Sequence, residues 1–471
     1  MSALDTNIVL IALPTIGRQL PGTSLFDLLW ILLGYQLITA SVLVNFGRLS
    51  DIFGRVRLFT LGFAIFTAGS ALCSFAESGE QLIVFRLIQA LGSAFLFANA
   101  AAIITDAFPA EERGRALGIN QVSIVSGAVS GLVLGGLLTS LLGWRSIFWV
   151  NIPIGIFATL WSHYRLRETA VIQKGQKLDL LGNFTFASGL VLVLTAITLY
   201  AMGDILFGYF ALVFSAGIAL LISFVYVELN AKHPMFDLSL FKIRLFAAGN
   251  IAILLNSLAR GAVSLVLIFY LQGPTMGLDP FTAGIYLVPI SASIALFGPL
   301  SGYLSDKYGA RVLSSLGLGV SSFGFLLLSG IGETITFQQL ALPLFFIGGG
   351  MGLFASPNRA SIMNSVPITE RGIASGVSTT LMNIGMTFAL GIAFLVITVS
   401  TPMTDLQKIF LGAGGVSNVP WVGSFINSIH SIYYLSTIFL LIAIIPSIMR
   451  GSQPEITKTH IISVEKANQE N

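Results

Sequence analysis

The chain has 471 residues, of which 55% are hydrophobic and 10% charged, and its mean hydropathy is +0.88. Soluble domains carry about a quarter of charged residues, so this composition excludes them and places the chain in a bilayer. The net charge of +3 gives no basis for nucleic-acid binding, and a single cysteine, Cys73, excludes an intrachain disulfide or a cysteine metal cluster.

A membrane span needs about 20 apolar residues. That ruler predicts an all-α membrane protein of fourteen spans near 3–20, 25–46, 58–76, 81–107, 114–140, 145–164, 180–202, 205–227, 246–271, 281–304, 311–331, 337–357, 372–399 and 426–449. The first is short, with Asp5 close to its start, and by the length rule an upstream segment of about two turns is expected to be missing. No cleavable leader is expected, since residues 1–20 lack a basic start and a small-residue cleavage site.

After the second span comes Gly47-Arg48-Leu49-Ser50-Asp51-Ile52-Phe53-Gly54-Arg55-Val56-Arg57, and 255 residues later Gly302-Tyr303-Leu304-Ser305-Asp306-Lys307-Tyr308-Gly309-Ala310-Arg311 echoes it. A second pair, Glu112 to Gly118 and Glu370 to Gly376, agrees at five of seven places with an offset of 258. The chain is therefore duplicated, a construction used by secondary transporters that rock one bundle against another. Twelve spans alone predict an offset of about 200 residues, so the excess assigns 180–202 and 205–227 to an inserted pair. The expected layout is six plus two plus six: a bundle over 1–165, an insert with flanking loops over 166–245, a bundle over 246–450 and a disordered polar tail over 451–471. With both ends cytoplasmic, 19 of the 24 basic residues fall on the inner side and three on the outer, as the positive-inside rule requires.

The two charged loops are candidate gates, through Gly47, Asp51, Gly54 and Arg55 and again through Gly302, Asp306, Gly309 and Arg311. Glycine permits the tight turn and an aspartate can interact with a helix N-terminus, whereas setting topology needs neither. In the fourth span Arg86 and Gln89 share a face. An intramembrane arginine costs at least about 2.5–3.5 kcal/mol and needs a partner; Asp5 is the candidate, with a packing anchor on backbone carbonyls and an interfacial cap as the structural alternatives. Gly127, Gly131 and Gly135, with Gly136, form a small-residue face for close packing or hinging. Arg260 lies four residues after Asn256, and no carboxylate is placed inside a span of the second half. It is either a cavity residue that favours neutral, zwitterionic or anionic substrates, or a structural hydrogen-bond donor. Trp30, Tyr35, Gln36, Gln89 and Asn256 are further cavity candidates, with Phe26 beside the first of them. No metal-ligand spacing, phosphate loop or nucleophile elbow occurs, so no metal, cofactor or enzymatic activity is expected.

The Gly47 to Arg57 segment resembles the loop that marks the major facilitator superfamily, and other segments resemble its fourteen-helix drug:proton antiporter branch. Leu4-Asp5-Thr6-Asn7-Ile8-Val9-Leu10-Ile11-Ala12-Leu13-Pro14 is similar to that branch's first-helix motif. Trp144 to Gly155 is similar to the start of its sixth helix, and Pro234 to Phe241 to its loop before helix nine. The resemblance implies a rocking, proton-coupled exporter of amphiphilic molecules in which Arg86 assists proton transfer. One departure stands out: Leu132 follows Gly131 where the antiporter pattern has proline, which weakens the implied antiport direction. A proton-coupled importer, a metabolite exporter, sodium in place of protons and a non-transporting receptor on the same fold are the alternatives. The expected partners are protons, a small molecule and the bilayer, with the protein a monomer.

Overall fold

The computed structural model describes residues 1–168, 179–231, 234, 236–273, 276–367, 371–400, 406 and 420–451. Among them every regular element is helical. In chain order these are α1 Ser2–Gln19, α2 Leu25–Phe53, α3 Arg55–Ser74, α4 Gly79–Ala107, α5 Ala110–Leu142, α6 Ser146–Trp149, α7 Asn151–Arg165, α8 Leu180–Ala201 and α9 Phe207–Asn230. A short 3-10 turn, Leu238–Lys242, leads to α10 Arg244–Arg260, α11 Val263–Gln272, α12 Pro280–Tyr308, α13 Ala310–Leu328, α14 Phe337–Asn364, α15 Arg371–Ser400 and α16 Pro420–Met449. The expected tail after Gly451 and the side chain of Asp306 lie outside the described residues.

Twelve helical stretches among the described residues are long and apolar enough to cross a membrane. The other two expected spans are helical and fall short of that measure. Residues 3–20 form α1, whose Ser2, Asp5, Thr6, Asn7, Thr15, Arg18 and Gln19 dilute its apolar content, and at 1.5 Å per residue it reaches about 27 Å. Residues 145–164 divide at Val150 into α6 and α7 of 4 and 15 residues. Protein encloses α1 on most sides: Ile8, Val9, Ile11, Ala12, Leu13 and Ile16 are buried. By contrast α9 turns Phe207, Tyr209, Leu212, Ile222, Tyr226 and Leu229 outward, as a lipid-facing helix does.

The duplication reappears in the geometry at the same two offsets. Ser24 caps α2 through a reciprocal box with Asp27, and 255 residues on Asp279 caps α12. Ser78 accepts from Gln81 N at 3.3 Å to cap α4, and 258 residues on Thr336 accepts from Gln339 N at 3.5 Å to cap α14. Slight desolvation of the Asp279 carboxylate is outweighed by hydrogen bonds from Thr282 and the Phe281 backbone, which hold it below the ordinary carboxylate range. Gly54 and Gly309 make the α2–α3 and α12–α13 turns at φ +106° and +81°, where an L side chain is strained.

Close backbone approach repeats too. A Cβ on Gly69 would lie 2.7 Å from the Gln89 backbone, and one on Gly324, 255 residues later, 2.7 Å from the Ile347 nitrogen. Gly92 of α4 lies against the backbone of Phe66 and Gly62, while Gly350 of α14 lies against Gly317 and Ser321. These helix pairs pack backbone to backbone, the small-residue mode that serves where lipid is the solvent. A leucine at either Gly92 or Gly350 should therefore separate its pair at a cost of about 1–3 kcal/mol or more. The expected result is a similar fall in detergent melting temperature for Gly92→Leu and Gly350→Leu, with Gly319→Leu, which has open space, near wild type.

Candidate functional site

Asp5, Arg86 and Gln89 converge in a fully enclosed polar cluster, each at 0% exposure. The α1 start brings the carboxylate and α4 brings the other two on one face, as the three-residue spacing requires. Asp5 Oδ2 receives Arg86 Nη1 at 2.5 Å, and Asp5 Oδ1 receives Gln89 Nε2 at 2.9 Å. Arg86 Nη1 also donates to Gln89 Oε1 at 2.6 Å, which closes a three-residue ring. Gln89 Nε2 donates further to Ser70 Oγ of α3 at 2.6 Å, and Asn151 Nδ2, at the start of α7, donates to Asp5 Oδ1 at 2.8 Å. The Tyr35 ring of α2 covers the guanidinium at 4.1 Å, a cation–π contact, and Arg86 Nε points to the Ile31 carbonyl at 3.4 Å. Five helices thus meet at one ion pair.

Asn151 and Ser70 were not singled out as site residues by the sequence. Asn151 lies within the Trp144 to Gly155 segment, and the signal available for it was an amide at an apolar helix start. Ser70 is a common residue with no such signal. Tyr35 and Gln89, expected in a substrate cavity, belong to this cluster. Trp30, Gln36, Asn256 and Arg260 lie elsewhere on α2 and α10, and each holds a buried polar atom without a hydrogen-bond partner: Trp30 Nε1, Gln36 Oε1, Asn256 Oδ1 and Arg260 Nε. Trp30 stacks on Phe26 with ring centres 5.5 Å apart.

The first charged loop is tied to its neighbours by ion pairs and hydrogen bonds. Arg55 joins Asp51 at 2.8 Å and Asp106, at the end of α4, at 2.7 Å. Glu168, which follows α7, accepts from the Arg55 and Val56 backbone nitrogens at 3.0 and 2.9 Å and so caps α3. Gly54 is required twice over, because its φ is positive and a Cβ there would lie 2.7 Å from Glu168 Oε2. Gly47 has open space around its Cα. In the second loop a Cβ on Gly302 would lie 3.1 Å from Ser356 Oγ, and Arg311 is exposed on α13.

The glycines of α5 serve two neighbours. Gly127, Gly131 and Gly135 face α1, where Cβ atoms would lie 3.7 Å from Leu4 N, 2.6 Å from Leu4 O and 2.6 Å from Ile8 Cγ1. Gly136 faces α12 instead, 2.7 Å from Phe281 Cα by the same measure, and Gly284 of α12 faces the Leu132 carbonyl at 2.6 Å. With leucine in place of proline, α5 continues unbroken from Ala110 to Leu142. The ends of α5 and α12 far from the charged loops are therefore in backbone contact.

A duplicated helical bundle with apolar membrane-length helices and a fully buried ion pair is the build of a multi-pass membrane transporter. The Major Facilitator Superfamily profile matches residues 1–390 and 249–460, and the chain belongs to that superfamily. It is 35% identical over 413 residues to the riboflavin transporter RibZ of Clostridioides difficile (strain 630), covering 87% of both chains. It is 31% identical over 394 residues to the multidrug resistance protein Stp of Mycobacterium tuberculosis (strain CDC 1551 / Oshkosh), covering 83% of this chain and 72% of that one. Multidrug resistance protein 3 of Bacillus subtilis (strain 168) is 30% identical over 423 residues, 88% of this chain and 80% of that one. Among solved structures, the POT family transporter PepTSo superposes with a TM-score of 0.64 at 15% identity, over 96% of this chain and 97% of that one, a likeness of fold.

Removing one member of a buried ion pair strands the other charge, at a cost of about 3–5 kcal/mol. Arg86→Ala should therefore unfold at markedly lower denaturant in detergent than wild type, whereas Asp5→Asn combined with Arg86→Gln should recover most of that loss. Equal destabilisation of the single and double variants would show that the pair is not energetically coupled.

Proposed function

We propose that the protein is a proton-coupled exporter of amphiphilic small molecules that works by alternating access as a monomer. The observation that carries this reading is the Asp5–Arg86 pair, enclosed with two amide donors to the carboxylate at the meeting of five helices. A carboxylate there changes partner strength with protonation: neutral Asp5 releases Arg86, and the buried guanidinium must then find another acceptor. That coupling converts proton binding into helix movement. The names of the multidrug resistance relatives support amphiphilic cargo.

The architecture in this reading is fourteen spans as six plus two plus six, with α1 and α6–α7 completing the twelve apolar stretches. The units are 1–165, the insert 166–245, 246–450 and the tail 451–471, and both termini are cytoplasmic. Asp51 and Arg55, with Asp306 and Arg311 in the second copy, gate the cytoplasmic end. The α5–α12 contact at Gly136 and Gly284 closes the outer end. Cargo sits between α2 and α10, where Trp30, Gln36, Asn256 and Arg260 offer unpaired polar atoms for it to satisfy. Arg260 forms no ion pair among the described residues, which favours neutral, zwitterionic or anionic cargo. The same observation, with the relative named for riboflavin, supports a second reading as a carrier of one specific metabolite.

Energised inverted vesicles carrying a pH-gradient dye test both. Substrate-dependent collapse of the gradient that vanishes in Asp5→Asn, and that persists when choline replaces sodium, is the expected result. Retention by Asp5→Asn would remove the coupling role, and no response to cations, zwitterions or anions at normal abundance would remove export. Response to a single compound selects the second reading. For the outer seam, Gly284→Phe should keep the α5 and α12 ends apart. A cysteine placed at position 281 in a Cys73→Ser background should then react several-fold faster with an impermeant maleimide from outside.

A further inference from the structure

The α8–α9 hairpin carries buried charge that the transport reading leaves unused. Asp179, the N-cap of α8, accepts from the Gly182 nitrogen through Oδ1 at 2.7 Å. Glu228, in the last turn of α9 and 3% exposed, accepts from the Phe236 nitrogen through Oε2 at 3.1 Å. The remaining oxygen of each, Asp179 Oδ2 and Glu228 Oε1, is buried and meets no donor among the described residues. Both point into the space over Gly182, where a Cβ would lie 2.5 Å from the first and 2.8 Å from the second. The two carboxyl groups are near enough to hydrogen-bond if a proton lies between them.

Among the described residues the charges around them are few. Arg48 of α2 acts on both carboxyls and also donates to the Pro234 carbonyl, and Asp51 acts on Arg48 in turn. The other helix against α8 is α15, whose one charged residue, Arg371, donates to Met363 O at 3.0 Å. Asp237, at the nearby 3-10 turn, is engaged with the Ser239 nitrogen at 2.9 Å. Neither α8 nor α9 has a charged side chain of its own besides Glu228. Two carboxylates sharing one buried space cannot both remain ionised without repulsion and desolvation cost. A hard divalent cation needs about six oxygens or more, and no group of three or more metal-ligating side chains occurs among the described residues. One proton between two oxygens meets the requirement.

We propose that Asp179 and Glu228 form a second proton-binding site, which fastens the α8–α9 hairpin beside α2 while the proton is bound. The proton comes from solvent at the end that bears the Gly47–Arg57 loop and returns there. Its loss leaves two like charges over Gly182 and draws Arg48 toward them, away from Pro234. Because Arg48 stands three residues before Asp51, the hairpin then reports the acidity at that face to the Asp51–Arg55 pair.

This site is separate from the Asp5–Arg86 pair, and its test needs no transport. Full-length protein in lipid nanodiscs is titrated while the infrared carbonyl band of protonated carboxyl groups is followed. The expected result is a band equivalent to one proton persisting at pH about 6, above the ordinary carboxylate range of about 4, and lost in both Glu228→Gln and Asp179→Asn. Both variants are near-isosteric, and asparagine retains the N-cap, so monodisperse protein is expected from each. No such band in wild type, or a band unchanged in Glu228→Gln, would overturn the proposal. So would a band lost in Asp5→Asn and kept in Glu228→Gln, which assigns the proton to the transport pair. Discharge of the band by sodium at fixed pH would replace the proton with a metal cation.

Discussion

Water is absent from a bilayer core, so a charge placed there has to be neutralised and hydrogen-bonded by protein alone. Asp5 and Arg86 meet most of that constraint by drawing in Gln89, Ser70, Asn151, Tyr35 and the Ile31 carbonyl, and through them α1, α2, α3, α4 and α7, while Arg86 Nη2 is left without a partner among the described residues. The helix order of the first half follows from it. The glycines of α5 let α1 sit deep enough for Asp5 to reach Arg86, and Gly69 lets α3 approach Gln89 closely enough to present Ser70. The small residues and the charged ones are parts of one arrangement.

The repeat makes the chemistry of this cluster easy to isolate. Counting 258 residues from Arg86 and Gln89 reaches Leu344 and Ile347, and 255 from Ser70 reaches Phe325. All three replacements are apolar and fully buried. The caps, the positive-φ glycines and the backbone contacts were kept in both halves, while the polar cluster exists in the first alone among the described residues. What is common to both copies supports the helices; what differs is the buried polar chemistry. Arg260 and Asn256, on the second-half side, each hold an unpaired polar atom among the described residues, as Arg86 Nη2, the Tyr35 hydroxyl and Asn151 Oδ1 of the first-half cluster also do.

Much of this was legible in the sequence, for a physical reason. Twenty-residue apolar runs and the distribution of arginine and lysine are direct consequences of the bilayer, so the helical stretches emerged in order. Asp5 as partner of Arg86 was legible by elimination, since carboxylates inside spans are so few. Asn151 was not, because an amide costs less than a charge and does not advertise its target. Glu168 and Glu228 lay in segments that read as loop or loop junction, where carboxylates are ordinary, and only the fold shows one capping α3 and the other facing Asp179. The weakness of α1 and α6–α7 as spans was partly visible: α1 read as short, and Pro153, which has no N–H to give the Trp149 carbonyl, falls where the helical hydrogen bonding lapses at Val150.

The glycine contacts between α3 and α4, and between α13 and α14, bear on how the molecule deforms. Side-chain interfaces give way by rotamer changes, but touching backbones have no such slack. Each pair is consequently a stiff strut, and compliance is left to the places where helices break. Val150 between α6 and α7, and Gly261–Ala262 between α10 and α11, are two such interruptions, and both keep near-helical backbone angles. A displacement of one helix of a strut therefore carries its partner with it.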